Sequence, residues 1–354
     1  MLYLRQFLKL STSLFIALFL VAPTAQAAQH INVLLYHHVS ADTPRSTSIS
    51  PDEFAGHMAY LQEQGYQVIA LGQALSLLQA GEEVPDKSVA ITFDDAWRNI
   101  YTNGLPILEQ YNYPFTVFVN TDPVDQNNRM AMTWDMLRDM KQRGGTLANH
   151  TTDHDYLVRK ADYGSQWLAD TLANIDKAQQ RLEAETGATP KWLAYPYGEY
   201  NNTLKQALKE RGYIAFGQHS GGIAHFSDWQ ALPRFPAAGI YSNLKTLKLK
   251  LASQPMPINY NDLPDPVIRL DQDHTNPPVL NVNMLTKEKK GVRDQLSCFI
   301  LGSPQKPVWQ DQQNWHISAE APLPSERSRY NCTAPIWGQK NYYWMSHQWL
   351  VYEH

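Results

Sequence analysis

From about residue 30 to residue 250, short apolar runs alternate with amphipathic stretches of helical length, and no other feature constrains the fold as much. "INVLLY", "YQVIAL", "SVAITF", "FTVFVN", "GTLAN", "KWLAYP" and "YIAFGQ" read as strands. Between them, "GQALSLLQAG", "TWDMLRDMKQRGG", "SQWLADTLANIDKAQQRLEAETG" and "NTLKQALKERG" read as helices. "SPDEFAGHMAYLQEQG" carries its own punctuation: Ser50 as N-cap, Pro51 at the first helical position, Glu53 in the capping-box place and Gly65 as the stop. Strands alternating with helices of this size predict a parallel sheet or barrel. Roughly seven such units favour a distorted (β/α)7-type barrel over residues 28–254.

The pattern then changes. "PMPINYNDLPDP" is proline-rich and reads as a linker over 255–265. Beyond it, runs such as "VLNVNML", "LSCFIL", "NWHISAE" and "YYWMSHQWLVY" are separated by Pro, Gly and Asn, which predicts a small antiparallel β-sandwich over 266–354. The chain has two cysteines, Cys298 and Cys332, both in this last part. The first residues suit an oxidising destination for them. Arg5 and Lys9 form a basic start, "SLFIALFLVA" an apolar centre, and "AQA" ending at Ala27 a small-residue cleavage site, so residues 1–27 read as a secretory signal. The mature chain is expected in the periplasm or outside the cell, without stable membrane insertion, and with Cys298 and Cys332 disulfide-bonded. Such a bond contributes roughly 3–4 kcal/mol in the chain-entropy account. Formal charge is −4, and removal of Arg5 and Lys9 takes it to −6. With no basic cluster, a nucleic-acid partner is not expected.

In parallel α/β folds, functional groups collect at the carboxyl ends of strands. Four strand ends here carry polar or aromatic groups. "AITFDD" delivers Asp94 and Asp95, "GTLANHTTDH" delivers His150 and His154, "LLYHHV" delivers His37 and His38, and "WLAYPYG" delivers Tyr195, Pro196 and Tyr197. Adjacent carboxylates repel, more so when desolvated, so the aspartate pair needs a cation, a proton or open solvent. His150 and His154, four apart, would face one side of a helical turn, and two histidines with one carboxylate make a three-ligand site with a coordination position left open. The absence of a Glu in an HExxH pattern disfavours a zinc endopeptidase of that type.

"TFDD", "HTTDH" and "YPYG", in that order, resemble the successive motifs of the NodB-type polysaccharide deacetylases, carbohydrate esterase family 4, over about residues 30–240. The resemblance implies Asp94 as general base and Asp95, His150 and His154 as ligands of a divalent metal, zinc first, with cobalt or nickel as alternatives. It also implies an N-acetylated polysaccharide as substrate and the Tyr197 backbone N–H as an oxyanion donor. Family members commonly place an Arg just before the Pro-aromatic motif, where this chain has Ala194 and Tyr195. An Arg orienting the base must then come from elsewhere, and Arg234 in "LPRFP" is the candidate. The family's late leucine-rich strand with its acid His has no counterpart before the linker. "LLYHHV" instead resembles the subgroup acting on poly-N-acetylglucosamine, in which an early "YH" supplies the acid, which makes His37 the acid and His38 its neighbour. His219 in "GQHSGG" is the alternative. Trp97, Tyr195, Pro196, His38 and His219 are expected around the substrate.

Two other functions are compatible with the same residues. One keeps the fold and metal but cleaves an O-acetyl ester or a small non-peptide amide. The other is a catalytically silent barrel whose β domain binds glycan. Poly-N-acetylglucosamine, chitin-like polymers and peptidoglycan present the same acetamide, and the sequence does not choose among them or set an oligomeric state.

Overall fold

The computed structural model describes residues 27–159, 164–271, 275–287 and 290–352. The expected signal, residues 1–27, lies outside the described residues except for Ala27. Six strands stand side by side in chain order and parallel: His30–Tyr36, Ser88–Phe93, Phe115–Val119, Gly145–Asn149, Trp192–Ala194 and Ile214–Phe216. A seventh, Phe235–Pro236, pairs in parallel with Leu34 and Leu35 on the opposite edge, and just before it Leu232 bridges Phe216. Residues 232–236 thus join the first and last strands, giving a distorted seven-stranded barrel. Ser88–Phe93 is buried along its whole length, as a parallel strand covered on both faces must be. Val33, Ala90, Phe118, Ala148, Ala194 and Phe216 share one cluster in which three alanines leave room for two rings. Each such ring contributes roughly 1.5–3 kcal/mol by burial. Helix Pro51–Glu63 opens with the anticipated capping box: Glu53 N–H donates to Ser50 Oγ at 3.2 Å, and Ser50 N–H to Glu53 Oε2 at 3.0 Å.

The stretch 255–265 is not a free linker. Ser253–Pro255 pairs in parallel with Tyr342–Trp344 of the last strand, and Met256, Ile258 and Tyr260 are buried in the second core. Their alternation is that of an extended segment with one apolar face; the prolines between them hid it. The remainder forms two sheets. One holds Tyr342–Tyr352, Glu326–Pro335, Ser297–Ile300 and Ser303–Gln305, and the other Val279–Asn283, Asn314–Ser318 and Val308–Trp309. Leu280, Trp315, Tyr330, Met345 and Trp349 fill the core they share. Cys298 and Cys332 face each other on neighbouring strands and are disulfide-bonded. The last strand also binds the two parts together, for Leu350 and Tyr352 pack with Leu193, Tyr195 and Leu204 of the barrel. Among the described residues no helix is long and apolar enough to cross a membrane.

Candidate active site

Asp94 continues the strand by one residue, its N–H donating to Tyr36 O at 3.0 Å. The chain then turns left-handed, with φ of 72° at Asp95 and 51° at Ala96. That reversal sends two adjacent carboxylates to different partners. Asp94 is fully buried and receives both ends of the Arg234 guanidinium, Nη1 to Oδ1 at 2.6 Å and Nη2 to Oδ2 at 2.8 Å. Arg234 is equally buried; its Nε donates to Gly217 O at 3.0 Å and its guanidinium lies 5.1 Å from the Phe118 ring centre. Burial alone would raise the Asp94 pKa. The charge of Arg234, with its hydrogen bonds, outweighs burial and holds the carboxyl below its ordinary value.

Asp95 Oδ1 lies 3.2 Å from His150 Nε2 and 3.3 Å from His154 Nε2, while Oδ2 accepts from Trp97 Nε1 at 3.0 Å. His150 follows Gly145–Asn149, and its Nδ1 lies 2.7 Å from Ala194 O. A carbonyl only accepts, so Nδ1 carries the proton and Nε2 presents a lone pair. His150 Nε2 and Asp95 Oδ1 are both buried without a hydrogen-bond partner, and the ligand atoms of Asp95, His150 and His154 fall within 4.8 Å of one another. Lone pairs converging on one point repel unless a cation lies between them, so this donor set fits a divalent metal. The two histidines do not share a helical turn. Residues 150–154 form a loop in which Thr151 (φ 69°) and His154 (φ 58°) are left-handed, tied by Thr151 N–H to Asn149 Oδ1 at 2.8 Å and His154 N–H to Thr151 Oγ1 at 3.1 Å.

The third wall is the turn after Trp192–Ala194. Tyr197 is left-handed (φ 58°), stacks on Tyr156 with centroids 4.0 Å apart and meets His154 edge-on at 4.5 Å. Gly198 is required there: its φ is 74°, and a Cβ would sit 2.7 Å from Gln218 N. The C-terminal sheet braces this turn. Arg327 Nη1 donates to Tyr197 O at 2.9 Å and Gln348 Nε2 to Gly198 O at 2.8 Å. Glu199, fully buried, accepts from Arg159 Nη2 at 2.5 Å and from Tyr352 OH at 3.1 Å.

His37 is half-buried and neighbours Asp94, Asp95 and His154. His38 turns the other way, stacking on Trp97 at 4.5 Å with Nδ1 3.0 Å from Asn99 Nδ2. The Trp97 indole thus positions Asp95 and His38 at once. Three expectations need correction. Tyr195 is not a sugar-facing wall: it has no exposed surface, and its OH donates to Gln230 O at 2.8 Å. Pro196 is also buried, at the start of the turn. His219 is buried beside Tyr200, and burial pushes its imidazole down to about 3, so it carries no proton to donate near neutrality. Sequence reasoning missed Asn99, Tyr156, Arg159, Glu199, Arg327 and Gln348. Asn99 lies within "ITFDDAWRN" and was open to notice, whereas Arg327 stands 130 residues from the turn it holds.

Comparison with known proteins agrees with this geometry. Residues 81–216 match the family model for polysaccharide deacetylases. The chain is 25% identical over 281 residues to the poly-beta-1,6-N-acetyl-D-glucosamine N-deacetylase of Escherichia coli, covering 68% of this chain and 40% of that protein. It therefore spans about two fifths of that relative's length. It is 26% identical over 191 residues to the Staphylococcus aureus protein of the same name, covering 52% of this chain and 66% of that one. The structure of a Streptococcus pyogenes deacetylase in complex with acetate superposes with a TM-score of 0.57 at 23% identity, over 63% of this chain and 98% of that one, a likeness of fold.

Proposed function

We propose, for a chain that carries a polysaccharide deacetylase domain across residues 81–216, an exported hydrolase that removes N-acetyl groups from an amino-sugar polymer. The observation that carries this reading is the split of the aspartate pair. Asp94 is clamped by Arg234 beside a separate Asp95–His150–His154 donor set. Relatives named for poly-beta-1,6-N-acetyl-D-glucosamine make that polymer the first to test. The leading segment and the Cys298–Cys332 disulfide support export.

Asp95, His150 and His154 would hold a divalent ion, zinc by the preference of two imidazoles and a carboxylate, which when bound supplies Lewis acidity toward the acetamide oxygen and acidifies water. Asp94, kept anionic and pointed by Arg234, takes a proton from the attacking water. The Tyr197 N–H, fixed by a braced left-handed turn, donates to the oxygen on which charge develops. His37 donates a proton to the departing nitrogen as the C–N bond breaks, leaving acetate and a free amine on the sugar.

Acetate release from N-acetylglucosamine oligomers by the zinc-loaded protein tests this reading, beside an Asp94→Asn variant. Loss of a general base lowers kcat by about 10²–10⁴-fold, with metal content unchanged. Release equal in wild type and variant, or a protein that binds no divalent metal at the Asp95 cluster, would overturn the reading.

A further inference from the structure

Away from the carboxylate–histidine cluster, the barrel and the C-terminal sheet enclose a cavity of about 430 Å³ lined by Tyr241, Lys250, Phe299, Arg329, Asn331 and Trp344. It adjoins a second hollow of about 610 Å³ along residues 324–329, which shares Phe299, Arg329 and Asn331 with it. Both volumes fall in the range of small-molecule sites. Alternation along Glu326–Pro335 explains the lining. Tyr330 and Cys332 point into the sandwich core, so Arg329, Asn331 and Thr333 face the other way, toward the barrel.

The charges in the cavity are unbalanced. Lys250 ends helix Leu244–Leu251, is 3% exposed, donates through Nζ to Pro236 O and lies 4.1 Å from the Tyr241 ring centre. Arg329 Nε is buried and has no hydrogen-bond partner. Among the described residues neither side chain makes an ion pair, although Arg45, Arg138, Arg143, Arg159 and Arg181 all do. Glu326, the acid in the adjoining hollow, is turned to Arg159 at 3.7 Å. Burial, with the charge of Arg329, pushes Lys250 down to about 7. Lys250 is buried without a counter-ion and half-buried Arg329 keeps one buried nitrogen unpaired, a cost that an anion between them would relieve. Asn331 accepts from Ser346 Oγ at 2.6 Å, which leaves its amide N–H groups for a ligand beside the Ser297 and Thr333 hydroxyls.

We propose that this cavity binds an anionic sugar, a saccharide bearing a carboxylate or a phosphate, with the anion between Arg329 and Lys250 and the ring against Tyr241, Trp344 and Phe299. The aromatic lining and short hydroxyl or amide groups suit a sugar ring, and the cation pair selects the charged substituent. A deacetylated amino sugar, being cationic, is repelled from the same place. None of the lining residues belongs to the deacetylation cluster, so the proposal stands or falls separately from that reading.

Isothermal titration of the intact protein with glucuronic acid, glucose 6-phosphate, glucose and inorganic phosphate tests it. The two acidic sugars are expected to bind, glucose at least about tenfold more weakly, and higher salt should weaken the acidic pair. Arg329→Gln and Lys250→Met should each weaken the acidic sugars about tenfold, while Asp94→Asn leaves them unchanged. Tyr241→Ala, at a 40% exposed position, gives a third variant that does not disturb the core and should also weaken them. No binding of either acidic sugar overturns the proposal, as does binding untouched by all three variants. Inorganic phosphate binding as tightly as glucose 6-phosphate would overturn it too, because the ring would then contribute nothing.

Discussion

Two fully buried carboxylates, Asp94 and Glu199, are each held by an arginine, and they do opposite work. Asp94 sits at a strand end with Arg234 as its one ion-pair partner among the described residues, and both are buried. Glu199 sits at the junction of barrel and sheet with three partners: Arg159, Tyr352 and, at 3.5 Å, Arg327. In the mechanism proposed above, the first pair fixes the reacting group. The second fixes a backbone turn, and so shapes the site without touching the chemistry. Redundancy suits a brace; a base needs one partner that leaves its geometry unambiguous.

The comparison breaks most visibly on removal of each arginine. Arg234→Met leaves Asp94 buried and unpaired, which costs about 3–5 kcal/mol and should abolish acetate release; chemical denaturation and the kinetic assay read the two effects. Arg159→Met leaves Glu199 with Arg327 and Tyr352, so the expected cost is smaller, about 1–2 kcal/mol, with measurable activity retained. Equal losses in the two variants would show that the pairs are equivalent. Arg327→Ala is a subtler probe, since it removes one hydrogen bond to the Tyr197 carbonyl. A loss of about 1 kcal/mol at the transition state lowers kcat roughly fivefold with KM little changed, whereas a purely structural Arg327 would shift only the melting temperature.

Acidification is the mildest test near neutrality. His219 and His347 face each other across the junction and burial pushes both down to about 3, while His57 in the barrel is pushed down to about 4. Their unfolded values are near 6.5, so below that pH the unfolded chain binds more protons than the folded one. Stability therefore falls as pH drops from 6.5 through 4 toward 3 and is unaffected by these groups above 7. His219→Gln together with His347→Gln should flatten the fall in melting temperature; an unchanged slope would place the acid-sensitive element outside the junction.

Much of the candidate site was legible because its signals are local. A strand that ends in "DD", a loop with His at i and i+4, and a Pro-Tyr-Gly turn are written in consecutive residues, and a parallel α/β pattern places such ends on one face. Arg234 was reached through the family resemblance: the Arg that family members carry just before the Pro-aromatic motif is replaced here by Ala194 and Tyr195, which turned attention to "LPRFP". The linker was misread because Pro255, Pro257 and Pro264 masked the alternation of Met256, Ile258 and Tyr260. Tyr195 was misjudged because aromatic residues beside a motif look alike whether they face sugar or core.

By itself, the sequence determined the order of strands and helices, the residues able to ligate or transfer protons, and the one possible pairing of two cysteines, since each follows from short-range pattern or residue chemistry. Tertiary structure alone decided that Asp94 and Asp95 part company, that Arg327, Gln348 and Tyr352 brace the Tyr197–Glu199 turn, and that Lys250 and Arg329 meet in one cavity. The brace and the cavity join residues 79 to 153 positions apart through sheet packing, and no periodicity along the chain encodes such distances.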